Sequence, residues 1–343
     1  SILHSLAARK DFGVKTFQAE DEIAAICSAI GASFTGDLAI SASSGPGVAL
    51  KSEALGLAII TELPVVLVNV QRGGPSTGLP TKTEQSDLLQ AMMGRNGESP
   101  IAVVSASTPS DCFEAAFEAC RIALEYMTPV ILLTDGYLAN GSEPWKIPDV
   151  SKLKKIKHQK ITKTKDNFHP YERNNKLVRP WAVPGTPGLE HRIGGLEKSD
   201  VTGNVSYDPN NHQLMTDIRQ KKIEMIAKDI PKAIPFGKNS GNLLVVSWGG
   251  TFGAVRSAVE KAQSQEISVS QIHLRYINPF PENLGELMLK FQQILVPELN
   301  SGQLSILLRN KYLIDSVGLN KVEGQPFTTD DILNKIIEMA GVK

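Results

Sequence analysis

Apolar runs alternate with stretches of helical spacing from residue 14 to residue 135. Residues 38–43 (LAISAS), 64–70 (PVVLVNV), 101–105 (IAVVS) and 129–135 (PVILLTD) read as short apolar strands, and 65–70 as one buried on both faces. Residues 22–34, 48–61 and 111–126 lie between them with helical spacing. In the first of these, Ile23, Ile26, Cys27 and Ile30 fall at i, i+3, i+4 and i+7, a single apolar stripe. The βαβα order predicts an α/β fold, a parallel sheet with helices on both faces.

Near residue 150 the rhythm stops. A lysine-rich stretch, SKLKKIKHQKITKTK, opens a segment that runs to residue 235, far beyond the usual connection of about 4–6 residues. It reads as an arm, a lid or an interface, its lysines as a solvated face, with anion binding the less favoured alternative. A helix is expected over 213–230, closed by Pro231. From residue 242 the rhythm resumes, with strands expected at 243–248 (LLVVSW), 268–274 (SVSQIHL), 293–298 (QILVPE) and 304–309 (LSILLR) and a helix at 254–263. The chain thus divides into a first α/β domain (1–150), an arm (151–235) and a second, smaller α/β domain (236–343). Gly249, Gly250 and Gly253 fit a tight strand-to-helix turn better than an anion cradle, because G-G-x-x-G lacks dinucleotide-binding spacing.

Composition narrows the classes. Lys+Arg (36) and Asp+Glu (36) balance, so no global charge draws the chain to nucleic acid or an anionic membrane. Cys27, Cys112 and Cys120 form no Cys-x-x-Cys pair and the six histidines no H-x-x-x-H, so no metal centre is expected within this chain. No apolar run approaches the ~18 residues of a membrane span. Scattered thiols and the lack of a signal peptide predict a cytoplasmic location, while the opening Ser1 implies a natural start further upstream. Gly-x-Ser-x-Gly, P-loop and G-x-G-x-x-G motifs are missing, which removes the usual support for hydrolase, P-loop NTPase and simple NAD-dehydrogenase readings.

In an open parallel sheet, ligands bind beyond the carboxyl ends of the strands. Two stretches fall there. Ser41, Ser43 and Ser44 lead into Gly45-Pro46-Gly47, where glycine permits close backbone approach and a helix start presents free N–H groups; Ser44 and Gly45 are candidate cofactor contacts. An ordinary βα turn explains that stretch equally well. Arg72 leads into Gly-Gly-Pro-Ser-Thr-Gly, and its planar fork suits a carboxylate, a salt bridge to a neighbouring acid being the bland alternative. Glu20, Asp21 and Glu22 open the 22–34 helix, where carboxylates stabilise the macrodipole by about 0.3–1 kcal/mol each. Glu22 also borders the apolar stripe one turn before Ile26, where packing would desolvate it and suit it to exchange a proton with a cofactor nitrogen.

QAEDEIAAICSAIGASFTG, SASSGPGVALKSE, VVLVNVQRGGPSTGLPTKTEQSDL and PVILLTDGYLA resemble the α subunit of the thiamine-pyrophosphate-dependent 2-oxoacid:ferredoxin oxidoreductases. HRIGGLEKSDVTGNVSYDPNNH and VPELNSGQLSILLRNKYLIDSVGLNKVEGQPF are most similar to the 2-oxoglutarate type, and the matches span nearly the whole chain. The resemblance implies a pyrimidine-binding domain followed by a transketolase C-terminal-like domain. It implies thiamine diphosphate shared with a β subunit that supplies the diphosphate site, Mg2+ and an iron–sulfur cluster. It further implies oxidative decarboxylation of 2-oxoglutarate with coenzyme A to succinyl-CoA and CO2, electrons passing to ferredoxin, and an isolated chain that is inactive. By position, Glu22 matches the glutamate that hydrogen-bonds the aminopyrimidine ring and favours its imino tautomer. Arg72 matches the arginine that holds the substrate's C1 carboxylate, and Thr81, in the loop 73–83, is a further substrate-contact candidate. The family's Tyr-Pro-Ile-Thr-Pro tract, expected just ahead of Ser1, and the γ domain common upstream do not stand in this sequence.

Two alternatives stay open: the same reaction on pyruvate or a branched-chain 2-oxoacid, and a non-catalytic assembly subunit docking through residues 150–235. Glu22 and Arg72 together weigh against the second. His191 and Glu197, within the tail motif, receive no chemical task.

Overall fold

The computed structural model describes residues 2–158 and 160–341. After α1 (Ile2–Ala7), the first domain runs α2 (Glu22–Phe34), β1 (Ala39–Ser43), α3 (Gly45–Leu50), α4 (Ser52–Thr61), β2 (Val65–Gln71), α5 (Leu88–Met93), β3 (Ala102–Ser105), α6 (Asp111–Tyr126), β4 (Val130–Asp135) and α7 (Gly136–Asn140). The four strands pair in parallel in the order β1-β2-β4-β3. Val66 and Val68 share a core with Ile122 and Tyr126 of α6, whereas Val65 and Leu67 share one with Ile26 of α2 and Leu55 of α4. Burial on both faces is why β2, β3 and β4 read as apolar runs, whereas β1 turns Ile40 and Ala42 outward.

Two expectations here need correction. The helix expected over 48–61 is two helices: the Lys51 amide bonds to the Gly47 and Val48 carbonyls at 3.2 and 3.1 Å, a tightened turn that ends α3. The apolar stripe of α2 is only half used, because Ile26 and Ile30 are buried while Ile23 and Cys27 are exposed.

The arm is strapped down. β5 (Lys160–Ile161) pairs in parallel with β6 (Trp181–Ala182), and α8 (Pro209–Met225) follows. Trp181 is buried with its Nε1 donating to the Ser33 carbonyl at 3.1 Å, and the Arg179 Nε donates to the Thr61 carbonyl at 3.0 Å. Lys152, Lys154, Lys155 and Lys157 are exposed. α8 begins before residue 213 because Asp208 caps it, accepting from the Asn210 and Asn211 amides, and Pro209 suits its first turn. It also ends before 230, at Met225, followed by a short 3-10 turn (Ile226–Lys228).

The second domain runs β7 (Gly241–Trp248), α9 (Phe252–Ser264), β8 (Val269–Leu274), β9 (Tyr276–Asn278), α10 (Leu284–Met288), β10 (Phe291–Glu298), α11 (Gln303–Tyr312), β11 (Val317–Asn320) and α12 (Thr329–Ala340). Its parallel sheet has the order β11-β10-β7-β8. LSILLR, expected as a strand, lies in helix α11, since Leu304, Leu307 and Leu308 fall on one helical face and are buried there. The Glu298 carboxylate, accepting from the Leu304 and Ser305 amides at 2.7 and 3.2 Å, holds the start of that helix. The boundary at 236 is not clean either. β9 pairs antiparallel with β3, adding an edge strand to the first domain's sheet, and Leu244 and Val246 of β7 share a core with Val65 and Leu67. Among the described residues, no helix is long and apolar enough to cross a membrane.

Candidate functional site

The carboxyl ends of β1 and β2 lie side by side, Ser43 opposite Asn69, so the two stretches singled out in the sequence meet. Glu22 is the first residue of α2 and is half-buried. Its side chain lies against the turn into α3: a Cβ at Gly47 would sit 2.8 Å from Glu22 Cγ and 1.9 Å from Ser43 Oγ, so only glycine fits. Among the described residues the Glu22 carboxylate enters no hydrogen bond or ion pair. Lys51 closes the same turn. Burial pushes its amino group's pKa down, and the charges of Glu22 and Asp21 pull it back. Ser44 caps α3 by position but its side chain makes no capping bond, which leaves the half-buried hydroxyl available.

Arg72 follows β2 and is half-buried, with its Nε shut from solvent and without an acceptor. No carboxylate among the described residues lies within 4.0 Å of it, so the salt-bridge alternative fails. Behind it the loop closes on itself: the Gly73 amide donates to the Lys82 carbonyl at 3.0 Å and the Leu79 amide to the Gly73 carbonyl at 2.9 Å. This brings Arg72 and Thr81 to the loop's neck. Thr81 is exposed and sits at φ 65°, left-handed backbone that a β-branched residue rarely adopts.

Sequence reasoning missed Asp87. Its carboxylate accepts from Asn69 Nδ2 at 3.0 Å, its amide donates to Gln71 Oε1 at 3.2 Å, and a Cβ at Gly45 would lie 3.0 Å from its Oδ1. Gly45 is therefore small to admit Asp87, whose carboxylate is bonded to β2 and packs against the α3 turn. Burial pushes the Asp87 pKa up, the Asn69 hydrogen bond opposes this, nearby Glu84 adds to it, and Arg72 opposes it through space. The signal in the sequence was T-E-Q-S-D, a polar run closing the loop. Its Gln85 reaches the second domain, donating to the Trp248 carbonyl at 2.8 Å and accepting from the Leu299 amide at 3.0 Å.

Other candidates resolve into architecture. The Gly250 amide donates to Asp135 at 3.0 Å, so the Gly249-Gly250 turn meets the protein's own carboxylate and not a ligand. Glu197 accepts from both terminal nitrogens of Arg219, at 3.2 and 3.0 Å, and pairs with His212 Nδ1 at 2.9 Å; it clasps the tail motif to α8. His191 Nδ1 lies 2.8 Å from the Leu189 carbonyl. Among the described residues, no group of three or more His, Cys, Asp or Glu is arranged to hold a metal ion.

A family model described as pyruvate flavodoxin/ferredoxin oxidoreductase, thiamine diP-binding, matches residues 1–207, and one described as pyruvate:ferredoxin oxidoreductase core domain II matches 241–332. The chain is 54% identical over 333 residues to the 2-oxoglutarate oxidoreductase subunit KorA of Mycobacterium tuberculosis, covering 96% of this chain and 50% of that protein. It is 31% identical over 328 residues to the 2-oxoglutarate synthase subunit KorA of Methanothermobacter marburgensis, covering 94% and 86% respectively. The solved 2-oxoglutarate:ferredoxin oxidoreductase from Magnetococcus marinus, with 2-oxoglutarate, coenzyme A and succinyl-CoA bound, superposes with a TM-score of 0.90 at 35% identity, over 97% of this chain and 59% of that one. A split-gene transketolase, 13% identical with a TM-score of 0.53 over 98% and 87% of the two chains, shares the fold alone. The chain spans about half the length of several curated relatives. It belongs to the 2-oxoacid:ferredoxin oxidoreductase family.

Proposed function

We propose that this chain is the α subunit of a cytoplasmic, thiamine-diphosphate-dependent 2-oxoglutarate:ferredoxin oxidoreductase. 2-Oxoglutarate and coenzyme A would give succinyl-CoA and CO2, with the electron pair leaving singly to ferredoxin. The observation that carries the reading is Arg72, a half-buried guanidinium at a strand's carboxyl end with no ion pair among the described residues, while Glu22, at the start of α2 and against the α3 turn, likewise has none. An unpaired charge of this kind is stable only where a ligand or water completes it.

The residues present fit the cofactor. Gly47 leaves room for the Glu22 side chain to lie along the α3 turn, and the Ser44 hydroxyl beside it is free of capping. Thiamine diphosphate, when bound, supplies the electron sink for cleaving a bond next to the 2-oxo carbon. Glu22 would hold a proton shared with a ring nitrogen. Arg72 would fix the C1 carboxylate by a two-pronged contact, and Thr81 at the loop's neck would line the substrate's flank. Asp87 would keep the α3 turn and β2 in register. A β subunit would bring the diphosphate site, Mg2+ and an iron–sulfur cluster. Ile23 and Cys27 on α2, Ile40 on β1 and Leu50 on α3 are exposed and would offer it an apolar seat.

The test is turnover by the full-length chain co-expressed with its β subunit, offered 2-oxoglutarate, pyruvate or 2-oxoisovalerate with coenzyme A and a one-electron acceptor. Highest kcat/KM on 2-oxoglutarate is expected. Preference for another 2-oxoacid overturns the substrate assignment, and no turnover by an intact, cofactor-loaded assembly overturns the enzyme itself in favour of an assembly subunit.

A further inference from the structure

We propose that the turn at residues 323–326 of the second domain braces the substrate loop, with Gly324 as a positioning residue for 2-oxoacid capture; the capture half of this rests on the function proposed above. Gly324 sits at φ +67, and a Cβ there would lie 3.0 Å from Leu79 Cδ1 and 3.0 Å from Lys82 Cβ. These are the two residues whose backbone closes the loop behind Arg72, the Leu79 amide on the Gly73 carbonyl at 2.9 Å and the Lys82 carbonyl on the Gly73 amide at 3.0 Å. The brace therefore presses on the loop on both sides of Thr81. Left-handed backbone at a β-branched residue persists only where its surroundings over-determine it. Gln325 and Pro326 face Thr81, Thr83 and Tyr137 across a cavity of about 280 Å³, so Gly324 is the close approach on that side. The turn is itself fixed. Lys321 bonds through its amide to the Glu298 carbonyl at 3.0 Å, and through Nζ to the Pro326 carbonyl and Asp331 at 3.3 Å each, joining it to β10 and α12. A domain distant in sequence thus sets the loop on which Arg72 depends.

The test compares two glycines with the same backbone angle. Gly97 also has φ +67 but has nothing within 4 Å of a Cβ, so Gly97→Ala carries the backbone change without the contact. In the full-length co-expressed assembly, Gly324→Ala is expected to raise the KM for the 2-oxoacid tenfold or more. Its kcat and its KM for coenzyme A should stay within threefold of wild type. Without substrate, hydrogen exchange at the Leu79 and Lys82 amides should be at least tenfold faster than in wild type. Gly97→Ala should leave all four quantities at wild-type values. Unchanged exchange and unchanged KM in Gly324→Ala overturn the brace, as do equal changes in Gly97→Ala. If the wild-type assembly turns over no 2-oxoacid, the functional reading fails on its own, and the exchange rates still decide whether Gly324 braces the loop.

Discussion

Glu62 and Arg72 stand at opposite ends of β2, each a charged side chain at the rim of a buried strand. At the amino end, Glu62 is 1% exposed, accepts from both terminal nitrogens of Arg173 and is paired with Lys222. Burial works to raise its pKa, but Lys222 and Arg173 outweigh that and hold the carboxyl well below the usual range. At the carboxyl end, Arg72 has neither an acid nor an acceptor for its Nε among the described residues. The amino end is where the arm is fastened to the first domain, and Glu62, Arg173 and Lys222 form ion pairs there, although Arg173 Nε, like that of Arg72, has no hydrogen-bond partner among the described residues. At the other end, neither Arg72 nor nearby Glu22 enters an ion pair among the described residues. Pairing, more than charge itself, separates architecture from site.

The sharpest way to break this contrast is Glu22→Gln, which removes a carboxylate that enters no hydrogen bond or ion pair among the described residues. Turnover of the assembly should fall by about 10²–10⁴ with 2-oxoacid binding retained, and an unaltered kcat would end the assignment. Glu62→Gln should do the reverse. It leaves Arg173 and Lys222 buried without their carboxylate, at a loss of roughly 3–5 kcal/mol in denaturant unfolding, while the folded fraction keeps its kcat. Stability within experimental error of wild type would show that the pairing is ornamental. Arg72→Ala should weaken substrate capture by about 1.5–3 kcal/mol, read as KM and kcat/KM, with Arg72→Lys restoring part of it; no change in either constant would return Arg72 to the architecture.

His273 adds a third arrangement, in which a group stays neutral instead of paired. Its Nδ1 lies 2.9 Å from Ser247 Oγ and its Nε2 is shut away without a partner. Burial first, then Arg256 and Arg275, push its pKa down from 6.5 to about 3. The unfolded chain therefore takes up a proton below about pH 6.5 that the folded chain refuses. Stability contributed by this residue is complete above that pH and is lost as pH falls toward 3, by at most about 1.4 kcal/mol per pH unit. Chemical denaturation between pH 6.5 and 4 should show a shallower slope for His273→Gln; identical slopes would refute the account.

β2 and β4 were legible because burial on both faces fills their starts with runs of Val, Ile and Leu, whereas LSILLR misled because its leucines satisfy a helix as readily as a short strand. Arg72 and Glu22 were legible as chemically unusual residues at a strand end and a helix start. Asp87 and Gln85 were not. Asp87 is defined by Asn69, 18 residues back, and by the gap at Gly45, and Gln85 by Trp248, 163 residues on. Such partners exist only once the sheet is assembled. The same holds for the unused half of the α2 stripe, Ile23 and Cys27, whose spacing is indistinguishable from that of core positions.

β9 carries a consequence for anyone who divides the molecule. Tyr276–Asn278 caps the side of β3 (Ala102–Ser105) that would otherwise present bare amides and carbonyls, although it lies well over a hundred residues beyond a cut near 150. A fragment ending before Tyr276 should expose that edge to neighbouring molecules and precipitate on expression, even with its own helices in place.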